Sequence, residues 1–404
     1  MHPRLSQLFN AAVGKDLSAV ETDPSISNQH EFHGVAALQQ LLGEPDGRER
    51  LPTRFVAIDD DLDTVEWDGE VTWYDARQRA RLERGIDRHE YRLYYPANPV
   101  MSSASSGDGF ILARRTDGSL LAIVTPSGST VGFQLRTLFA LQDQGELFSV
   151  GAADDAGDLD LTDTAILEAL GLAIDWTDDR LLDGLVHAFG GTFPTTAAFS
   201  TYARDHAADI NPLHDPDAAL VEWMGTEEVL FRTLEKHLIT RALTDADGDV
   251  NRVLDVAKRS FQRRRARAGQ ALENHLQHLL EVHQIPHTRG GRTEGNKRPD
   301  FLVPGIDHYH DASWPADRLL MLGAKTSCRD RWRQVLTEAD RVPDKHLITL
   351  EAPISSAQLS EMETEHLHLV VPRSLQARFD ESDQGRLLTV SAALTMAHKV
   401  VESL

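Results

Sequence analysis

The stretch RLLMLGAKTSCRDRWRQVLTE, residues 318–338, decides how this chain is read. Its first eight residues form an apolar run ending on Lys325, with the length and composition of a buried strand. The part that follows, RWRQVLTE, has helical spacing and places Glu338 thirteen residues after the lysine. Upstream, PDFLV at 299–303 is another short apolar run, opened by Asp300; downstream, KHLITLEA at 345–352 and HLHLVVP at 366–372 are two more. Before them come helical periods at 162–174, 195–208, 215–243 and 251–285. Long helices followed by strand, strand, helix, strand, strand and a last helix predict an α/β domain whose helices flank a mixed sheet.

Asp300, Lys325 and Glu338 carry the candidate chemistry. Hydrolysis of a phosphodiester at neutral pH needs a hard cation, an activated water and charge neutralisation at the transition state. Mg²⁺ is held by one or two carboxylates together with substrate oxygens and water. Asp300 and Glu338 could be those carboxylates, and Lys325 could orient the water or steady the phosphate. Strand ends on neighbouring strands would bring aspartate and lysine to one edge of the sheet.

The charge distribution agrees with a polyanionic partner. The chain is acidic, with a formal net charge of −22, yet residues 251–350 hold 18 Lys and Arg against 12 Asp and Glu. A basic segment in an acidic protein is expected where one surface meets nucleic acid; a salt-adapted acidic surface with a fortuitous basic stretch is the other reading. Hydrophobic residues make up 41% of the chain and charged residues 26%, the balance of a globular protein. Lone Cys328 excludes an internal disulfide and a multi-thiolate zinc site. The first residues lack a signal-peptide h-region and no apolar run reaches membrane-spanning length, so no membrane partner and a cytoplasmic location are expected.

Residues 53–140 read as mostly β: RFVAI, EVTWYDA, EYRLYY, GFILARR and SLLAIVTP, with turns expected at Trp67-Asp68-Gly69, at 106–109 and at 116–119. A helix is expected near 131–142, and the acidic, Gly-rich GAADDAGDLDLTD at 151–163 reads as a linker or exposed loop. The predicted division is therefore a β-rich N-terminal domain with its linker, 1–163, and a catalytic domain, 164–404.

The segments RRRARAGQALENHLQHLL, TEGNKRPDFLVPG, YHD, LLMLGAKTSCRDRWRQVLTEAD, HLITL and LVVPRSL lie in order between about 259 and 376. Together they resemble the catalytic domain of the EcoRII-like type II restriction endonucleases, within the PD-(D/E)XK nuclease superfamily. The resemblance implies a Mg²⁺-dependent cut of double-stranded DNA by a homodimer on a palindromic site. It makes Asp300 the motif aspartate and Lys325 the motif lysine. The usual acid two residues before the lysine is absent, since Gly323 stands there. The second metal carboxylate then comes from the following helix, as Glu338. Glu273 is similar to an upstream acid near the metal, though a solvent-facing helix glutamate is an equal reading.

Arg329-Asp330-Arg331 is similar to the triplet with which the family reads CC·GG steps. Arginine can donate twice to guanine and a carboxylate can accept from cytosine N4. The first member departs from the family's pattern, being Arg in place of Lys. Trp223 stands near where a side chain that fills the gap of a flipped base is expected, or is a core tryptophan. The basic run Arg263-Arg264-Arg265-Ala266-Arg267 suits phosphate contacts or a solvated helix face. Tyr309 and His310 suit phosphate positioning or a loop turn; Cys328 reads as packing, and His275 and His278 as surface residues.

The N-terminal half resembles the family's B3-like pseudobarrel effector domain in strand order and position alone. Arg77, Arg79, Arg81, Arg84 and Arg88 are its candidate DNA contacts, with an autoinhibitory or partner-binding module as the competing view. The alternatives to restriction are a same-fold nuclease acting in repair or on modified DNA, and a catalytically silent DNA-binding regulator.

Overall fold

The structure is a computed structural model that describes residues 3–22, 30–79, 83, 88–143, 145–153, 159–328 and 331–402; within the helix Val250–Val282 the side chain of Arg265 is also outside the description. The chain divides into two compact units, Met1–Ile174 and Asp175–Leu404.

Period-two burial builds the first unit. Along β6 (Gly109–Arg115) and β7 (Leu120–Thr125), Phe110, Leu112, Leu120, Ala122 and Val124 enter one core, while Ile111, Ala113, Leu121 and Ile123 enter another. Both faces of the sheet are therefore covered, which explains why these strands read as continuous apolar runs. With β1 (Phe9–Asp16), β2 (Glu31–His33), β3 (Arg48–Ile58), β4 (Thr64–Asp75), β5 (Tyr91–Tyr94) and β8 (Ser149–Ala152) they form one eight-stranded sheet, in the order β2-β5-β4-β3-β7-β6-β1-β8. All pairings are antiparallel except β3 with β7.

Trp67-Asp68-Gly69, expected as a turn, lies inside β4, where Gly69 pairs with Thr53. Glycine is required there by packing: a Cβ at position 69 would fall 2.0 Å from the Trp67 ring. The helix expected near 131–142 is shorter, α1 (Thr130–Leu138). The expected domain boundary also moves. Helix α2 (Leu161–Ala169) buries Ile166 and Leu167 in the N-terminal core, and Leu159 before it is buried too. These residues close the first unit, so the division falls after Ile174 and not after 163. Of the expected linker, residues 154–158 lie outside the described residues.

In the second unit, α3 (Leu182–Phe189), α4 (Thr196–His206), α5 (Pro216–Ala246) and α6 (Val250–Val282) precede the sheet. Helix α5 begins with Pro216 behind an Asp215 cap whose side chain accepts from the amide of Ala218, and it ends where Asp247 and Gly248 adopt positive φ. The five-stranded sheet runs β13-β12-β11-β10-β9: β9 (Thr288–Arg289), β10 (Phe301–Val303), β11 (Leu320–Lys325), β12 (Lys345–Thr349) and β13 (Leu367–Val370). Strands β11, β12 and β13 are mutually parallel; β10 and β9 are antiparallel additions. This is the mixed, helix-flanked sheet expected from the sequence. Helices α7 (Trp332–Leu336), α8 (Ser356–Thr364) and α9 (Val390–Val401) come after β11, β12 and β13 respectively, and Met321, Trp332, Val335, Leu347 and Leu369 share their core. No helix among the described residues is long and apolar enough to cross a membrane.

Candidate active site

The antiparallel pairing of β10 with β11 sets Phe301 opposite Leu322, so Asp300, one residue before β10, meets the end of β11. Its Oδ2 accepts from the backbone amide of Ala324 at 2.7 Å and from Lys325 Nζ at 2.9 Å. The two side chains are 13% and 20% exposed, reachable from solvent but largely sheltered, so the pair is much less screened than a surface ion pair. Position 323, where the usual motif acid would stand, faces apolar neighbours: Leu347 and Val335 lie 3.4 Å from where its Cβ would be. A carboxylate there would enter the core.

Glu338, the candidate second carboxylate, does not stand within a helix as expected. Helix α7 ends at Leu336, and Glu338 sits in the reversal that follows, its amide donating to Val335 O and Ala339 next to it at φ 53°. Its Oε2 is buried and has no hydrogen-bond partner among the described residues. Burial, then the negative charge of Asp300, pushes its pKa up to about 7, against the pull of Lys325, Lys297 and Lys345. Two neighbouring carboxylates, one of them Glu338 with an orphaned buried oxygen and a proton affinity raised by the other, are suited to sharing a cation. They form a pair only: among the described residues there is no cluster of three or more His, Cys, Asp or Glu able to hold a metal.

Glu273, on α6, is bound to Arg289 of β9 at 2.8 Å. That arginine also donates to Asn274 and Gln277, and the amide beside it, Gly290 N, donates to Asp300 O. Glu273 is thus tied to the sheet edge next to Asp300 instead of facing solvent freely. Arg289 was not anticipated, and neither was Lys297, whose Nζ donates to Thr337 O at 2.6 Å. A basic pair directly before Pro299-Asp300 was the available signal for Lys297.

Several expected contacts lie elsewhere. Trp223 is only 5% exposed and packs against His275 and His278, so it has no free face for a base. His275 is fully buried and not at the surface, between Glu227 and Arg204. Arg264 pairs with Glu235, a side chain 1% exposed, and Arg267 is buried on Glu227 and Glu228; their charge neutralises acids inside the helical layer. Arg265 lies outside the described side chains. Tyr309 is buried, its hydroxyl donating to Glu294, which removes it from the surface; His310 contacts Arg292 O. Cys328 is buried, as expected, and its amide donates to the carboxylate of Glu351. Arg329 and Asp330 lie outside the described residues, while Arg331 is exposed at the start of α7. In the first unit Arg77 is paired with Glu90 and Arg79 with Glu83; Arg81 and Arg84 are outside the described residues.

The family model described as EcoRII C terminal matches residues 231–394, which contain Asp300, Lys325 and Glu338. This match lies within the second unit. Its relatives include the type II restriction enzyme EcoRII of Escherichia coli, 39% identical over 201 residues, which are 50% of this chain and 49% of that enzyme. The type II restriction enzyme SsoII of Shigella sonnei is 26% identical over 155 residues, 36% of this chain and 50% of SsoII. The chain thus spans about half the length of the curated relatives it matches. A solved structure of metal-depleted Ecl18kI in complex with uncleaved DNA is 20% identical at a TM-score of 0.46, covering 56% of this chain and 84% of that one.

Proposed function

We propose that this protein is a type II restriction endonuclease that hydrolyses phosphodiester bonds of double-stranded DNA at a short site with CC/GG outer steps, using Mg²⁺. The observation that carries this reading is the Asp300–Lys325 pair facing the orphaned carboxylate of Glu338. Asp300 and Glu338 would hold the divalent ion. Bound there, it would supply Lewis-acid polarisation of the phosphate and a more acidic water. Lys325, with one hydrogen on Asp300, has donors left to hold the attacking water or a phosphate oxygen. Glu273, held by Arg289, borders the same edge and would fix the approach of water from the α6 side.

Base reading falls to Arg329, Asp330 and Arg331. The anchoring of Cys328 N on buried Glu351 supports this, because the triplet then starts from a fixed point three residues beyond Lys325. Cutting both strands of a palindrome calls for a two-fold homodimer, working in the cytoplasm where the DNA is. For the first unit we retain the B3-like effector reading, supported by its mixed eight-stranded sheet. Digestion of unmethylated plasmid with Mg²⁺ or EDTA tests the proposal. Mg²⁺-dependent fragments ending at one CC…GG motif are expected; intact plasmid despite specific binding would leave a DNA-binding regulator or a nuclease requiring modified DNA.

A further inference from the structure

The turn that carries Glu338 is held on both sides by one short segment. Lys297 Nζ donates to Thr337 O at 2.6 Å, just before Glu338, and Glu294 Oε2 accepts from Asp340 N at 3.4 Å, just after it. Glu294 and Lys297 belong to the same tight loop, closed by Lys297 N to Glu294 O and by Thr293 N to Lys297 O, three residues before Asp300. The Glu294 carboxylate is in turn immobilised by the buried Tyr309 hydroxyl at 2.6 and 2.7 Å, and that hydroxyl also accepts from Arg341 N. The loop leading into the first carboxylate therefore grips the turn bearing the second.

We infer that Glu294 and Lys297 are positioning residues that set the separation of Asp300 and Glu338 by clamping residues 337–340. This rests on the reading of those two carboxylates as a cation site. A turn that includes left-handed Ala339 is tied to its own helix through Gln334 O and Val335 O on its leading side, and the external ties at Thr337 O and Asp340 N hold both of its ends in one geometry. Because the ties reach backbone atoms of Thr337 and Asp340, they act on where Glu338 is.

Lys297 is also a cation near Glu338, so its effect could be electrostatic instead. Glu294 separates the two accounts. An electrostatic role would make loss of the lysine and loss of the acid shift the site in opposite directions; a clamp makes both losses act alike. Lys297→Met, Glu294→Ala and the rescue variant Lys297→Arg, each in the full chain, would be followed by amide hydrogen exchange across 335–342 and by calorimetric titration with Mn²⁺. Exchange in that segment about tenfold faster in both loss variants, weaker Mn²⁺ binding in both, and near-native behaviour of Lys297→Arg are expected. Native exchange in both, or Mn²⁺ affinities that move in opposite directions, overturns the clamp. Should wild type bind no Mn²⁺, or should Asp300→Asn bind it as well as wild type does, the cation-site reading fails, while the exchange data still decide the clamp. If Glu294→Ala does not fold, Lys297→Met against Lys297→Arg decides by exchange.

Discussion

Lys325 Nζ lies 2.9 Å from Asp300 Oδ2, on the side of the carboxylate that also accepts the Ala324 amide. One oxygen of Asp300 is therefore committed to β11, and the other is left for a ligand. Lys325→Ala should remove the donor to water and phosphate while sparing the sheet, since Lys325 ends its strand. Cleavage should fall by at least about a hundredfold, with specific binding retained in a gel shift in Ca²⁺. Normal turnover in this variant would mean the chemistry is elsewhere.

Glu338 should cost stability. With its pKa raised to about 7 by burial and by Asp300, its protonated form is favoured in the fold. The corresponding stability is present below the unfolded value near 4.3 and is lost as pH rises through about 7. Without metal, Glu338→Gln should therefore be more stable than wild type at pH 8, by roughly 1–3 kcal/mol, and no more stable at pH 4.5. Thermal melts at the two pH values, beside a cleavage assay expected to read zero, check both halves.

The catalytic fold was legible because its strands are short apolar runs and its helices long and periodic. The meeting of Asp300 and Lys325 at one sheet edge was legible because each stands at the end of a short apolar run. Arg289, Glu294 and Lys297 were not, since their roles depend on partners 12 to 46 residues away that spacing does not disclose. Trp223 and Arg264 misled for a related reason. On a helix buried on several sides, the face of one residue is set by neighbouring helices, here through His275 and Glu235. Trp67-Asp68-Gly69 carried turn composition, but its glycine makes room for an indole inside a strand.

His346, on β12, is 2% exposed, and burial, followed by the neighbouring His368, lowers its pKa to about 4 against the pull of Asp344. The folded state holds it neutral while the unfolded chain takes up a proton below about 6.5. Stability should accordingly be lost as pH falls from about 6.5 towards 4, amounting to about 2 kcal/mol by pH 5. Urea unfolding of wild type and His346→Leu at pH 7.5 and 5 reads this directly: the variant should show the smaller acid loss. Equal losses in both proteins would assign the acid sensitivity to other groups.

Arg267 is 7% exposed on its side chain and stands between Glu227 and Glu228, with Phe231 beneath its guanidinium at 4.3 Å. Burial alone would raise the Glu228 pKa, but Arg267 and Arg232 hold it below the ordinary carboxylate value. Removing the arginine leaves buried Glu228 with Arg232 and buried Glu227 with His275, each short of one cationic partner, so Arg267→Met should destabilise the second unit by about 3 kcal/mol. Arg264→Ala strands Glu235 in the same way, and more mildly because Arg264 is about one-third exposed. Neither substitution should change the salt dependence of DNA binding, because a charge spent on an internal acid releases no counterion from phosphate. Binding measured from low to high salt separates the roles: a shallower slope in Arg264→Ala would place that arginine on the DNA after all, whereas an unchanged slope with a lower Tm assigns it to the helical layer.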